Sequence, residues 1–157
     1  MRRHEYVLDL HAQTGPAGAT GVAVRLPTPA DAEALAELML DAYLDTIDYE
    51  GESLEDARVE VAGYLEGSPL LECSWLANSD HRPVSASLVS FWGARDCPVV
   101  SYVMTAAAWK GRGLASDLLA RSLASLAEGG YREVRAAITE GNVPSETIFT
   151  RAGFRRV

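Results

Sequence analysis

One stretch of the sequence constrains the fold more than any other, because a strand pattern, a glycine-rich turn and a helix pattern follow one another directly. Val99 to Thr105 is rich in β-forming residues, and glycines punctuate the turn from Lys110 to Ala115. From Leu114, leucines recur at three- and four-residue spacing until the pair Gly129-Gly130. This order predicts an α/β arrangement with an anion site where the helix begins, since the first backbone N–H groups of a helix lack internal partners.

The rest of the chain predicts one mixed α/β domain over residues 22–157, preceded by an N-terminal extension over residues 1–21. In the extension, Glu5 to Leu10 has strand-like alternation and Thr14 to Gly21 has the composition of a linker. Capping signatures at Thr28 to Asp31 and at Ser53 to Asp56 predict two early helices. The other predicted elements are a strand at Val22 to Leu26, a hairpin at Leu71 to Trp92 with its turn at Asn78 to Pro83, a strand at Val134 to Ile138 and a helix around Ser145 to Ala152.

Composition excludes several classes of function. The 157 residues suit a single domain, and no apolar run approaches the length of about 20 residues that spans a membrane. The net charge of −8 argues against a nucleic-acid partner and favours a cationic one. Cys73 and Cys97 lack metal-ligand or disulfide-framework spacing, so no metal is expected. We find no secretion signal, and we expect a cytoplasmic protein.

The glycine turn fits one phosphate-binding pattern better than two others. The nucleoside-triphosphate loop is absent, and the dinucleotide fingerprint requires glycine or alanine where Ser116 stands. Lys110 to Ala115 matches the pattern Gln/Arg-x-x-Gly-x-Gly/Ala, except that lysine replaces glutamine or arginine. Lys110 is the single lysine among 14 basic residues, which leaves open either a phosphate role or a general preference for arginine. Downstream, Asn142 to Phe154 contains an asparagine, a short helix and a Gly-Phe pair.

With these two motifs in this order, the chain resembles the GNAT superfamily of N-acetyltransferases. The resemblance implies a GNAT-like α/β mixed sheet, acetyl-CoA as co-substrate and direct attack of a primary amine on the thioester. It implies that Val103, Met104 and Thr105 diverge from the neighbouring strand and bind the pantetheine arm, with a backbone N–H near Met104 as oxyanion donor. The other implied cofactor contacts are Lys110, Gly111, Arg112, Gly113, Leu114, Ala115 and Ser116 at the pyrophosphate, Asn142 and Phe149 near the pantetheine, and Arg151 near the adenosine phosphates. For Asn142 a helix N-cap is the alternative.

The chain departs from the family pattern at the catalytic positions. Phe149 stands where many relatives have a tyrosine that protonates the departing thiolate, and the strand from Val99 to Thr105 has no carboxylate. We expect the base among Glu50, Glu52 and Glu140, with Asp48 as a further acceptor contact. These acids could equally be solvated helix-end residues. An acyl-CoA-binding regulatory module without efficient turnover is the alternative function.

Two further expectations concern the partners. The acidic region between the first two helices favours a cationic amine, either a small molecule or a peptide, whose identity stays open. The family pattern continues beyond Phe154 through a further strand, whereas this sequence ends at Val157. We therefore expect the C-terminal strand to be shortened and Glu5 to Leu10 to cover the exposed sheet edge, in the same chain or in a homodimer partner.

Overall fold

The computed structural model describes residues 2–11 and 21–157, which form a seven-stranded mixed sheet. In spatial order the strands run β2-β3-β4-β5-β6-β1-β7. Neighbouring strands are antiparallel, with the exception of the parallel pair β5 and β6. The strands are β1 Arg3–Asp9, β2 Ala23–Arg25, β3 Trp75–Ser79, β4 Arg82–Trp92, β5 Cys97–Thr105, β6 Glu133–Thr139 and β7 Arg155–Arg156.

The two early helices begin where the capping signatures predicted. The carboxylate of Asp31 accepts the backbone N–H of Thr28 at 2.8 Å, and a short 3-10 turn at Pro29–Asp31 leads into the first helix. The second helix begins after Ser53, whose hydroxyl accepts the backbone N–H of Asp56 at 3.2 Å. The four helices are α1 Ala32–Tyr43, α2 Leu54–Glu66, α3 Leu114–Glu128 and α4 Val143–Arg151.

The helices cover both faces of the sheet. Alternate residues of β3 point to opposite faces, so Leu76 packs in a cluster with α1 and α2, whereas Ala77 packs against α3. A larger cluster joins α3 and α4 to β6 and β1, and it includes Leu123, Val134 and Phe149. The sheet is therefore the middle of three layers, and an opening between two of its strands has helices above and below it.

The β3–β4 hairpin differs from the prediction in two ways: β3 begins later, and the turn between the strands is shorter. Leu71–Cys73 forms a 3-10 turn, so β3 begins at Trp75 rather than at Leu71. The reversal consists of Asp80 and His81, both with positive φ (50° and 63°), which is the geometry of a tight two-residue hairpin turn. Polar residues on either side of this turn continue the strands, and for this reason composition alone predicted a longer loop.

The N-terminal strand lies inside the sheet of its own chain. β1 pairs antiparallel with β6 over its whole length, from Arg3 opposite Thr139 to Asp9 opposite Glu133. Its other edge pairs with β7 at Tyr6 and Val7. The predicted linker from Thr14 to Gly21 lies, apart from Gly21, outside the described residues. Among the described residues, every helix is too short or too polar to cross a bilayer.

Candidate active site

β5 and β6 pair over a short distance and then diverge. Their parallel register contains two pairs, Val99 with Arg135 and Val100 with Ala136. At the same point the register between β4 and β5 shifts, so that Ser101 has no backbone register partner on β4, although its hydroxyl lies 2.5 Å from Ser90 Oγ on that strand. Beyond Val100, no described strand pairs with the β6-facing edge of β5. Backbone groups at such an edge can bind an extended ligand as an added strand would.

A cavity of about 470 Å³ lies at this divergence. Its walls come from the end of α1, the α1–α2 connection, the start of α2, both diverging strands and the start of α4. Its polar and aromatic lining residues are Arg3, Tyr43, Asp48, Tyr49, Glu52, Asp56, Glu60, Ser101, Tyr102, Thr139, Asn142, Ser145 and Phe149.

The glycine turn leads into α3 with its backbone accessible. Gly111 and Gly113 have φ values of +80° and +79°, a left-handed conformation that glycine adopts without strain. Gly113 is the N-cap residue of α3, and no described side chain caps this helix start. A Cβ at either glycine would meet no atom within 4 Å, so the turn faces open space. The first N–H groups of α3, on Leu114, Ala115 and Ser116, lie where an anion can bind.

The two cations of this turn are held by protein groups. Lys110 Nζ donates to the carbonyl of Ala42 at 2.8 Å, in the last turn of α1. The guanidinium of Arg112 lies 4.4 Å from the ring centroid of Trp109. Lys110 thus satisfies a carbonyl at a helix C-terminus, where positive charge is favourable. Lys110 is therefore occupied by a protein carbonyl, and the turn presents the exposed Arg112 and its backbone N–H groups to solvent.

The end of β5 is held firmly against β4. Ser85 Oγ donates to the Met104 carbonyl at 3.0 Å and lies 2.9 Å from Thr105 Oγ1. Met104 and Thr105 are buried, and the half-buried Val103 lines the cavity. Within the described residues, Val103, Met104 and Thr105 therefore pair with β4 on one edge and have no strand partner on the other.

Residues of α4 complete the opposite wall. Asn142 is the N-cap of α4 and accepts the Ser145 backbone N–H at 3.3 Å, while its amide nitrogen donates to Asp48 at 3.0 Å. Phe149 is buried and packs edge-to-face on Phe154, with ring centroids 5.0 Å apart. Arg151 is exposed in the last turn of α4, outside the cavity lining. The capping and the site interpretations of Asn142 are therefore compatible.

The acidic candidates separate into two groups. Asp48 and Glu52 line the cavity. The exposed Glu50 does not, and its backbone N–H donates to the Glu52 carboxylate at 2.8 Å. Glu140 also lies outside the cavity lining: its side chain is 58% exposed and its carboxylate is 3.3 Å from His4 Nε2. Spacing in the sequence could not distinguish these positions, because the α1–α2 connection turns alternate acids toward and away from the cleft.

Three tyrosines line the cavity, namely Tyr43, Tyr49 and Tyr102, and none was among the predicted catalytic or cofactor-binding residues. Tyr102 donates a 2.6 Å hydrogen bond to Glu60, and burial together with this carboxylate raises the pKa of the phenol. Burial, and then the charge of Asp48, raises the pKa of Tyr43. Both phenols are therefore protonated at neutral pH. The position of Tyr102 on β5 was the available signal, but a tyrosine in a strand is typical of ordinary core packing.

Of three aromatic residues on the strands β3, β4 and β5, namely Trp75, Trp92 and Tyr102, the two tryptophans lie outside the cavity lining. Trp75 Nε1 donates to Ser125 on α3 at 3.1 Å. The guanidinium carbon of Arg95 lies over Trp92, 5.6 Å from the centroid of the tryptophan ring. Tyr102 is the member of this aromatic set that reaches the cavity.

Comparison with known families identifies the chain. A sequence model described as the acetyltransferase (GNAT) domain matches residues 22–155. The chain belongs to the GNAT acetyltransferase family. The family and the mixed α/β fold expected from the two motifs are thereby confirmed. A search of curated proteins found no match.

Solved structures support the same GNAT fold. A GCN5-related N-acetyltransferase from Sphaerobacter thermophilus aligns with a TM-score of 0.78 at 19% identity over 99% of this chain, which spans 48% of that protein. An acetyltransferase from Thermus thermophilus aligns with a TM-score of 0.68 at 23% identity, over 87% of this chain and 88% of that one. AAC(6')-Iy in complex with the bisubstrate analogue CoA-S-monomethyl-acetylneamine aligns with a TM-score of 0.63 at 15% identity, over 85% and 90% respectively.

Proposed function

We propose that this GNAT domain transfers an acetyl group from acetyl-CoA to a primary amine by direct attack, and that the acceptor is cationic. The observation that carries the proposal is the divergence of β5 from β6 after Val100, beside a cavity and directly before an uncapped glycine turn. The structurally similar AAC(6')-Iy binds an analogue that joins CoA to an acetylated amine, which supports the same pairing of ligands.

The cofactor positions follow from the unpaired backbone. Val103, Met104 and Thr105 would bind the pantetheine arm along the free edge of β5, and an N–H near Met104 would stabilise the developing oxyanion. The turn from Lys110 to Ser116 would bind the pyrophosphate through backbone N–H groups. Asn142 and Phe149 would contact the pantetheine from α4, and Arg151 would lie toward the adenosine phosphates.

The carboxylates of the cavity suit an ammonium acceptor. Asp48 and Glu52 lie on the α1–α2 side of the cavity, where negative charge attracts a cation. An alkylamine with a pKa near 10.4 must lose a proton before it attacks, so a base is required. Of the three base candidates from the sequence, Glu52 lines the cavity, whereas Glu50 and Glu140 do not. Glu60 is a second candidate, because it can accept a proton through the hydroxyl of Tyr102.

The leaving group makes a smaller demand on the protein. Once the C–N bond has formed, the tetrahedral intermediate collapses, the C–S bond breaks, and CoA leaves as its thiolate. A thiol with a pKa of about 8.5 is a reasonable leaving group without a proton donor. The presence of Phe149 at the position of the family tyrosine is therefore compatible with turnover.

A regulatory domain that binds acyl-CoA without efficient turnover is the second candidate. The buried, unreactive Phe149 in the cavity wall and the absence of a carboxylate from β5 favour it. Release of free CoA thiol from acetyl-CoA in the presence of a panel of primary amines separates the two functions. Acetyl-CoA binding with no thiol release for any amine would support the regulatory domain.

The acceptor side is tested with amide variants. Asp48→Asn combined with Glu52→Gln should lower kcat/KM for a cationic amine by about 10- to 100-fold, while CoA affinity measured by calorimetry stays unchanged. Glu55→Gln is the matched control, because Glu55 belongs to the same acidic region but pairs with the exposed Arg58 outside the cavity lining. Wild-type kinetics in the double variant would mean that these acids do not contact the acceptor.

A further inference from the structure

The N-terminal strand places a guanidinium in the wall of the cavity. Arg3 is the first residue of β1, lies opposite Thr139 in the ladder with β6, and lines the cavity together with Thr139. The match to the family model begins at residue 22, so Arg3 lies outside the part of the chain that this model matches. This cation is therefore not among the residues of the two family motifs.

The charge of Arg3 acts on groups inside the cavity. It lowers the pKa of both Tyr43 and Tyr102, against the larger opposing effect of burial. These two phenols project from α1 and β5, on the side of the cavity where the carboxylates lie. Arg3 therefore shares the cavity with Tyr43 and Tyr102, whereas the residues of the glycine turn before α3 do not line it.

Arg3 differs from the other arginines near this part of the sheet. Arg135 binds Glu5 and Glu133, and Arg95 also binds Glu5. Within residues 2–11 and 21–157, Arg3 has no hydrogen-bonded or ion-paired side-chain partner, and it is the one basic residue that lines the cavity. A guanidinium with five donors and no internal carboxylate partner is available to a ligand anion.

We propose that Arg3 binds an anionic group of the acceptor, so that the substrate class is an amine that is cationic at its ammonium end and also carries a carboxylate or a phosphate. The inference rests on the proposed acetyl transfer. The carboxylates of Asp48 and Glu52 would bind the ammonium group of the acceptor. The guanidinium group of Arg3 would bind the anionic group through two parallel hydrogen bonds. A cavity of about 470 Å³ has room for a small bifunctional molecule of this kind.

Matched amine pairs test the proposal. The pairs are leucine with leucinamide, 6-aminohexanoate with 6-aminohexanamide, and O-phosphoethanolamine with ethanolamine. The first two pairs differ in the spacing between the amine and the carboxylate. The third pair tests whether a phosphate can take the place of the carboxylate. In at least one pair, the wild-type protein should show a kcat/KM about 10- to 100-fold higher for the anionic member, the range expected for hydrogen bonds between charged groups. Arg3→Met should abolish this preference, mainly through KM, and should leave the rate with the neutral member unchanged.

Arg2→Met is the control, because it removes the same charge from an adjacent exposed residue that does not line the cavity. It should keep the preference, and Arg3→Lys should keep part of it. Equal kcat/KM within every pair for the wild-type protein, or an undiminished preference in Arg3→Met, would overturn the proposal while acetyl transfer itself stands.

Failure of acetyl transfer gives a different result. If the wild-type protein acetylates no amine, the proposed function fails, and Arg3 is then tested by binding alone. Calorimetric titration of the anionic amines into the CoA-bound protein should show binding to the wild type and about 10-fold or greater weakening in Arg3→Met. Equal affinities, or no binding to either protein, would overturn the proposal independently of turnover.

Discussion

Placing a negative charge at the glycine turn is the most direct test of the cofactor site. Gly113 has φ +79°, and a Cβ there would meet no atom within 4 Å. Substitution therefore causes backbone strain of about 1–2 kcal/mol but no steric clash. Gly113→Asn and Gly113→Asp share this strain, since both side chains tolerate the left-handed region and have almost the same shape. The difference between the two variants isolates the charge.

The size of that difference follows from electrostatics. A carboxylate about 5 Å from one pyrophosphate charge, at an effective dielectric constant of about 20, repels it by about 3 kcal/mol. Affinity for CoA should therefore fall by at least about 100-fold from the asparagine to the aspartate variant. The difference in CoA affinity between the two variants should become smaller as the salt concentration rises from about 0.05 to 0.5 M, because the turn is exposed and salt screens the repulsion.

The measurement is isothermal calorimetry with CoA at both salt concentrations, on variants whose circular dichroism and melting temperature show that they are folded. Equal affinities for the asparagine and aspartate variants would refute the placement of the pyrophosphate at this turn. A gap that does not respond to salt would mean that the loss came from altered structure and not from charge.

Two further outcomes test the fold and the base. Asp31 is buried and accepts two hydrogen bonds from Arg25, which lower the pKa of its carboxyl group. The ionised carboxylate therefore stabilises the fold above the unfolded pKa of about 3.9. This stabilisation is lost as the pH falls through the lower pKa of the folded state. Asp31→Asn should therefore lower the free energy of unfolding in urea by about 1–2 kcal/mol at pH 7, and the difference should shrink as the pH falls below the unfolded pKa of about 3.9. If Tyr102 relays a proton to Glu60, Tyr102→Phe should lower kcat by about 100-fold near neutral pH. The kcat of the variant should recover at high pH, where the amine has already lost its proton. A ratio of wild-type to variant kcat that does not change with pH would indicate that Tyr102 has a packing role.

Local chemistry made much of the fold predictable. The side chains of Thr28 to Asp31 and of Ser53 to Asp56 act on backbone groups three residues away, so the helix starts could be read from short windows. The glycines at 111 and 113 adopt positive φ, as a strand-to-helix turn of this kind requires. These features, in order along the chain, sufficed to indicate the family.

The chemistry of the cavity depends on contacts that no short window contains. Tyr102 meets Glu60 across 42 residues of sequence, and Lys110 reaches the carbonyl of Ala42 across 68. Whether an acid faces the cleft depends on the path of the α1–α2 connection, which directs Glu52 inward and Glu50 outward. Sequence patterns thus identified the acidic region, but they could not rank its members.

The N-terminal strand connects the fold with the proposed acceptor site. Gly153, in the Gly-Phe pair of the second motif, has φ +107°, and a Cβ there would lie 3.1 Å from Leu8 Cδ1 on β1. Leu8 therefore packs closely against a motif glycine and joins Phe154 in the same core cluster. Because β1 is fixed by this packing and by its ladder with β6, Arg3 is held in register with Thr139 at the cavity wall and does not belong to a loose tail. The backbone of Arg3 is thus ordered before a ligand arrives, so binding an acceptor anion there costs less entropy than ordering a tail would.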